Sequence, residues 1–288
     1  MITLLMCTED PASINIRDRL LEQWDWNRIG EFRGRPLRIN DDLLLVEVEG
    51  LHLYLENVDS EISGHLCEEF PDIGERAKGD DTPLELLVFL SKHRSKSAIN
   101  SLTVHTPGNP LGADFGGEPG FLPPSSPHYI TQALKTLYSE KKELDLRDRV
   151  SYEVTHHGPR IDSPCFFIEI GSDEMRWKKP ELALPIARTL LSNDFRSPPI
   201  DLPVAMGIGG GHYAPRFTDR AMRGKFAFGH MIPDYILRSS EDQRSVLENA
   251  ARRTPGAQYA FIHRSKRNRK LLEGIDEIID DIGLISTE

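Results

Sequence analysis

The stretch Val204-Ala205-Met206-Gly207-Ile208-Gly209-Gly210-Gly211-His212-Tyr213-Ala214-Pro215 reads as a buried strand that breaks into a glycine turn and delivers a histidine. Four glycines in five positions let the backbone adopt positive φ angles and approach a ligand closely. Taken alone, a tight strand-to-helix turn whose histidine caps something explains it equally well. The surrounding chain weights the choice.

On either side, apolar runs of strand length alternate with helical spacing, the pattern of an α/β fold. Ile2 to Cys7 reads as a buried strand, and Asp10-Pro11 supplies an N-cap with proline at the first helical position, for a helix to about Trp24. Leu37 to Ile39, Leu43 to Val48 and Leu51 to Leu55 predict three short strands, a small β meander at 37–55. Further strands are expected at Leu84 to Leu90, Leu102 to His105, Val150 to Val154, Cys165 to Ser172, Phe226 to His230 and Tyr259 to Ile262. Helices are expected at Ser60 to Phe70, Ile130 to Leu137, Leu182 to Leu191, Glu241 to Arg252 and Ile275 to Ile282. No repeat or linker divides the chain, which reads as one domain, 1–288.

A formal net charge of −10 argues against coating nucleic acid through the whole surface, while a local basic patch stays open. Three cysteines, Cys7, Cys67 and Cys165, without CxxC spacing indicate neither a disulfide framework nor a zinc ribbon and fit a reducing cytoplasm. The N-terminus has the features of a first strand rather than of a signal peptide or membrane span.

His105, His156, His157, His212 and His230 all fall at or just past the C-terminal end of an apolar segment read as a strand. In an open α/β sheet those ends border the usual ligand crevice. Adjacent His156 and His157 can converge only if the strand has already turned, which Gly158-Pro159 makes reasonable. Glu169 lies inside the apolar run Cys165-Phe166-Phe167-Ile168-Glu169-Ile170, so it needs a partner, a proton or a metal. Imidazoles with a buried carboxylate suit a catalytic zinc, yet no HExxH motif is present and general acid/base roles fit equally well. Two basic stretches suit phosphate contacts: Ser91 to Ser97, with Lys92, Arg94 and Lys96 in a loop, and Arg264 to Lys270, with Arg264, Lys266 and Arg267.

Together, Thr103-Val104-His105-Thr106-Pro107-Gly108-Asn109, Thr155-His156-His157-Gly158-Pro159, Phe166 to Ser172, Gly207 to Pro215 and Phe228-Gly229-His230 closely resemble the archaeal and plant type of D-aminoacyl-tRNA deacylase, in order and approximate spacing. Pro110, after Asn109, departs from the family pattern and bears on loop shape. The resemblance implies a phosphorylase/hydrolase-like fold, three-layer α/β/α around a mixed central sheet. It also implies a zinc-dependent cytoplasmic enzyme that hydrolyses the ester between a D-amino acid and the terminal ribose of tRNA. On that basis His105, His156 and His212 are expected as metal ligands, and His157, Glu169 and His230 around the reacting ester. Backbone N–H groups at Gly207, Gly209, Gly210 and Gly211 are expected to face the oxyanion or terminal nucleotide. The expected partner is tRNA charged with a D-amino acid, with no membrane association and a monomeric state. Two other readings stay open: a zinc exopeptidase or peptidyl-tRNA hydrolase-like enzyme, and a non-catalytic nucleotide- or phosphate-binding module.

Overall fold

The computed structural model describes residues 1–94 and 99–288. Strands β1 (Ile2–Cys7), β2 (Asn27–Phe32), β3 (Arg35–Asn40), β4 (Leu43–Val48), β5 (Leu86–Arg94), β6 (Ser101–His105), β7 (Arg149–Tyr152) and β8 (Cys165–Ser172) form one sheet in the order β2-β3-β4-β1-β5-β8-β6-β7. The sheet is mixed. β1 runs parallel to β4 and β5, and β5 parallel to β8, whereas β2, β3 and β4 pair antiparallel and β6 runs against β8.

The first strand shows why this sheet has helices on both faces. Ile2, Leu4 and Met6 enter an apolar cluster with Ala12, Ile16 and Leu20 of the helix Pro11–Gln23, together with the helices Pro127–Glu143 and Pro180–Leu191. Leu5 and Cys7 face the other way, into a cluster with Val58, Ile62 and Leu66 of the helix Val58–Glu69. A strand buried on both faces reads as a continuous apolar run, and this one does.

A second sheet, β9 (Val204–Ile208), β10 (Ala227–Ile232), β11 (Ala257–Ile262) and β12 (Ile285–Thr287), is parallel throughout, in the order β10-β9-β11-β12. The expected mixed central sheet with helices on both faces is present, and the glycine strand β9 lies inside the second sheet. The sheets share a core, since Ala205, Phe228 and Phe261 belong to the same cluster as Ile2 and Leu4. They also meet through backbone bonds, Val154 N–H to His212 O at 2.9 Å and Thr155 N–H to Met231 O at 2.9 Å.

The meander occupies β2 to β4 rather than 37–55. Asn27–Phe32 is a largely exposed edge strand that apolar patterning does not reveal, and residues 51–55 hold a short 3-10 turn, His52–Tyr54. Strand β5 continues through Ser91, Lys92, His93 and Arg94, so the first half of the expected basic loop is strand. Lys96 lies outside the described residues. No helix among the described residues is long and apolar enough to cross a membrane.

Candidate active site

Four neighbouring strands build one polar face. Ser91 of β5 pairs with Glu169 of β8, Glu169 with Thr103 of β6, and Thr103 with Ser151 of β7, while His105 pairs with Phe167. Strand side chains alternate between faces, so these groups point one way. Leu90, Ile168, Val104 and Tyr152 point the other way into the core. Glu153 follows β7 by one residue, held by its N–H to Val104 O at 3.0 Å, and continues the polar series.

Past the strand ends, the loops after β6 and β7 run side by side. Pro107 bridges to His156, and Gly108 N–H donates to His157 O at 2.9 Å. His157 has φ of 24°, just inside the left-handed region, and this turn lets two adjacent histidines converge. Ring centroids lie 4.2 Å apart for His105 and His156, 5.2 Å for His105 and His157, and 4.1 Å for His156 and His157. His105 also stacks on Phe167 at 4.9 Å.

Glu153 is the centre of a second group. Its carboxylate oxygens lie 2.9 Å from His212 Nε2, 3.2 Å from His93 Nδ1 and 3.5 Å from His156 Nε2. His93 Nε2 meets the Tyr213 hydroxyl at 3.1 Å. Glu169 approaches His93 and His105, each at 3.7 Å. Both carboxyl groups are almost fully buried. Burial, then the charges of Glu153 and Asp10, push Glu169 well above the usual carboxylate range, which favours its protonated form. Burial acts on Glu153 in the same direction, but the imidazoles of His212 and His93 outweigh it and hold this carboxyl well below its ordinary value. Two buried carboxyl groups that both approach His93 are thus shifted in opposite directions.

Three of the imidazoles are shifted towards their neutral form. Burial, then the neighbouring His157, pulls His105 and His156 well below their ordinary values, and burial lowers His157 to about 4. His156 Nδ1 is 2.7 Å from Val154 O, which fixes the tautomer with a lone pair on Nε2.

These groups surround a cavity of about 450 Å³. Glu169, Asp10 and His52 lie at its floor, His156, His157 and His212 on one wall, and Lys92, Arg94, Phe115, Leu51 and Leu53 complete it. Asp10 both caps the helix Pro11–Gln23 and accepts from Lys92 N–H at 3.1 Å.

The residues also pass the test for a metal. Both ring nitrogens of His105, His157 Nδ1, both oxygens of Glu153 and Glu169 Oε2 are buried without a well-directed hydrogen bond, an expense normally offset by a bound group. Ligand-competent atoms of His105, His156 and His157 lie within 4.8 Å of one another, as do those of His93, Glu153 and His212. The set named from sequence therefore divides: His212 groups with His93 and Glu153, while His157 joins His105 and His156.

Other expected site residues stand elsewhere. His230 is fully buried, with Nδ1 3.0 Å from Thr155 Oγ1 and Nε2 2.9 Å from Pro123 O, and it does not line the cavity. It sits behind the histidine loop, which it braces through Thr155. Gly209 N–H donates to Ile232 O at 2.8 Å and Gly210 N–H to Asp234 Oδ1 at 2.9 Å, so neither donor is free for an oxyanion. Gly207 is required by packing, because a Cβ there would lie 2.8 Å from Met231 and 3.0 Å from Phe217. Gly211 is exposed in the turn that carries His212. Lys92 and Arg94 line the cavity, whereas Arg264 is engaged by Asp276 and Glu288, and Lys266 borders a separate basic cavity of about 570 Å³. Arg267 is exposed. Sequence reasoning missed Glu153, and left His93 unassigned within the basic stretch.

A family model described as D-aminoacyl-tRNA deacylase matches residues 81–286. A relative from Methanosarcina mazei named D-aminoacyl-tRNA deacylase is 34% identical over 98% of this chain and 90% of its own length. One from Pyrococcus horikoshii with the same name is 35% identical over 83% of each chain. A crystal structure of a conserved protein whose function is given as unknown superposes with a TM-score of 0.83 at 30% identity, covering 100% of this chain and 94% of that one. With a matched model spanning most of its length and such relatives along the whole of it, the chain belongs to the D-aminoacyl-tRNA deacylase family.

Proposed function

We propose that this chain hydrolyses the ester joining a D-amino acid to the 3′-terminal ribose of tRNA, in the cytoplasm where charged tRNA is used. The observation that carries the reading is geometric: buried Glu169 lines one cavity with His93, His156, His157 and His212, and ligand-competent atoms of His105, His156 and His157 lie within 4.8 Å of one another beside it. Ester hydrolysis needs a water activated at the acyl carbon and a proton delivered to the departing 3′ oxygen. Glu169 is the proton donor in this proposal, and its carboxylate recovers a proton from the attacking water. One new bond forms from water oxygen to acyl carbon, and the bond from acyl carbon to 3′ oxygen breaks.

Zinc is the metal this reading calls for: His105, His156 and His157 would hold it, with His93, Glu153 and His212 as an adjoining donor set. When bound it would supply an acidified water and polarisation of the ester carbonyl. Glu153 acts through the imidazoles, fixing His212 and His93 in place. Lys92 and Arg94 meet the phosphate of the terminal nucleotide, and exposed Lys266 and Arg267 take phosphates farther along the tRNA.

The test is release of amino acid from D-Tyr-tRNA and L-Tyr-tRNA in parallel. Cleavage of the D-ester alone is the expected result, and no cleavage of either ester by folded protein sinks the proposal.

A further inference from the structure

The cavity is graded from floor to mouth. Glu169 is 2% exposed at the floor, Arg94 is exposed, and Phe115 is 60% exposed while still lining the same space. If the chain acts on aminoacyl-tRNA, the reading on which this inference rests, the acyl carbon reaches the carboxyl and imidazole groups at the floor. The nucleotide must then leave through the mouth, because it continues into a macromolecule. Whatever lines the mouth faces the terminal nucleotide, and whatever lines the floor faces the amino acid.

Phe115 is held at that mouth by its backbone. Asn109 Nδ2 donates to Gly116 O at 3.1 Å and to Gly158 O at 3.0 Å, and Glu56 accepts from Gly117 N–H at 2.8 Å and Arg160 N–H at 2.6 Å. Gly116 has φ of 84°, and a Cβ there would lie 1.7 Å from Leu53 O. The loop is therefore fitted against residues 53, 56 and 158 and keeps an exposed aromatic ring on the cavity that Lys92 and Arg94 also line, two cations that lie over the Trp177 ring at 5.7 and 5.0 Å. An exposed ring in a cavity lined by cations is the combination that binds a base and its phosphate in single-stranded nucleic acid.

We infer that Phe115 is the stacking platform for the base of the 3′-terminal adenosine, with Leu51 and Leu53 beside it and Lys92 and Arg94 on its phosphate. Stacking is the same before and during reaction, so it acts on KM and leaves kcat unchanged.

The experiment compares wild type, Phe115→Ala and Phe115→Trp on D-Tyr-tRNA and D-Ala-tRNA, with adenosine 5′-monophosphate binding measured by calorimetry. Phe115→Ala is expected to raise KM roughly 10- to 100-fold by the same factor on both substrates, to weaken nucleotide binding similarly, and to be rescued by Phe115→Trp. Unchanged KM and nucleotide affinity in Phe115→Ala would overturn the inference. A loss confined to D-Tyr-tRNA would also overturn it, by placing the ring against the amino-acid side chain. Should wild type cleave neither ester, the functional reading fails by itself, and the nucleotide affinities still decide whether Phe115 holds a base.

Discussion

Glu153 and Glu169 share one imidazole: His93 Nδ1 lies 3.2 Å from Glu153 and 3.7 Å from Glu169. The two carboxyl groups raise each other's cost of ionisation, and their surroundings break the tie. Glu153 has His212 and His156 as further partners, whereas Glu169 has the negative Asp10 nearby. The proposed division of labour builds on these opposite shifts, with Glu153 as the fixed charge and Glu169 as the proton carrier.

Replacing each with glutamine separates the roles. Glu169→Gln keeps a neutral group of the same shape, so zinc content and fold are retained, while kcat drops by about 10²- to 10⁴-fold because the amide cannot pass a proton. Glu153→Gln removes the charge that orients His93 and His212, and zinc affinity is expected to fall about 10- to 100-fold along with activity. Metal analysis beside kinetics distinguishes the two; equal zinc affinity in both variants would contradict the assignment.

Chelation should abolish hydrolysis of D-Tyr-tRNA, and added zinc should restore it. His156→Ala should lower bound zinc below one equivalent after dialysis. Full activity in chelator with no bound metal would move the chemistry to Glu169 and the imidazoles alone.

His230 gives a pH dependence of stability that is separate from the cavity. Burial lowers its folded-state pKa to about 4, against an ordinary value of 6.5. The folded protein therefore binds fewer protons than the unfolded chain between those values, and stability is lost as pH falls from about 6.5 to 4. The full effect is on the order of 3 kcal/mol. Urea midpoints of His230→Gln should fall less steeply than those of wild type over this window; parallel curves would refute the effect.

Asp10 joins fold and site in one side chain. Its Oδ1 caps the helix at Ala12 N–H (2.9 Å) and Ser13 N–H (3.0 Å), and its Oδ2 accepts from Lys92 N–H. Asp10→Ala should cost about 1–2 kcal/mol in denaturant unfolding, and Asp10→Asn, which retains capping, only a few tenths. Similar losses in both would show that the charge, not the cap, matters.

Much of the first sheet was legible because β1, β5 and β8 are buried on both faces and read as apolar runs. The helix after Asp10-Pro11 was legible from its cap. Asn27–Phe32 was hidden because an exposed edge strand carries little apolar signal. Glu153 was hidden for a different reason. Alternation along Val150 to Val154 shows that Glu153 opposes the core, but not that its own side is covered by His212 and Tyr213, which arrive some sixty residues later. His230 shows the converse, since it lies inside β10 rather than at its end, and a histidine that braces a loop reads the same in sequence as one that lines a cavity.

The meeting of the two sheets also sets an order of assembly during synthesis. Every strand of the eight-stranded sheet has been made once Ser172 is complete, but His212 and Tyr213 are still to come. Until they emerge from the ribosome, Glu153 lacks its 2.9 Å partner and the polar strand face lacks its cover. The segment up to Ser172 therefore carries every strand of the first sheet but neither His212 nor Tyr213, so the candidate centre is complete only when residues from both sheets are present.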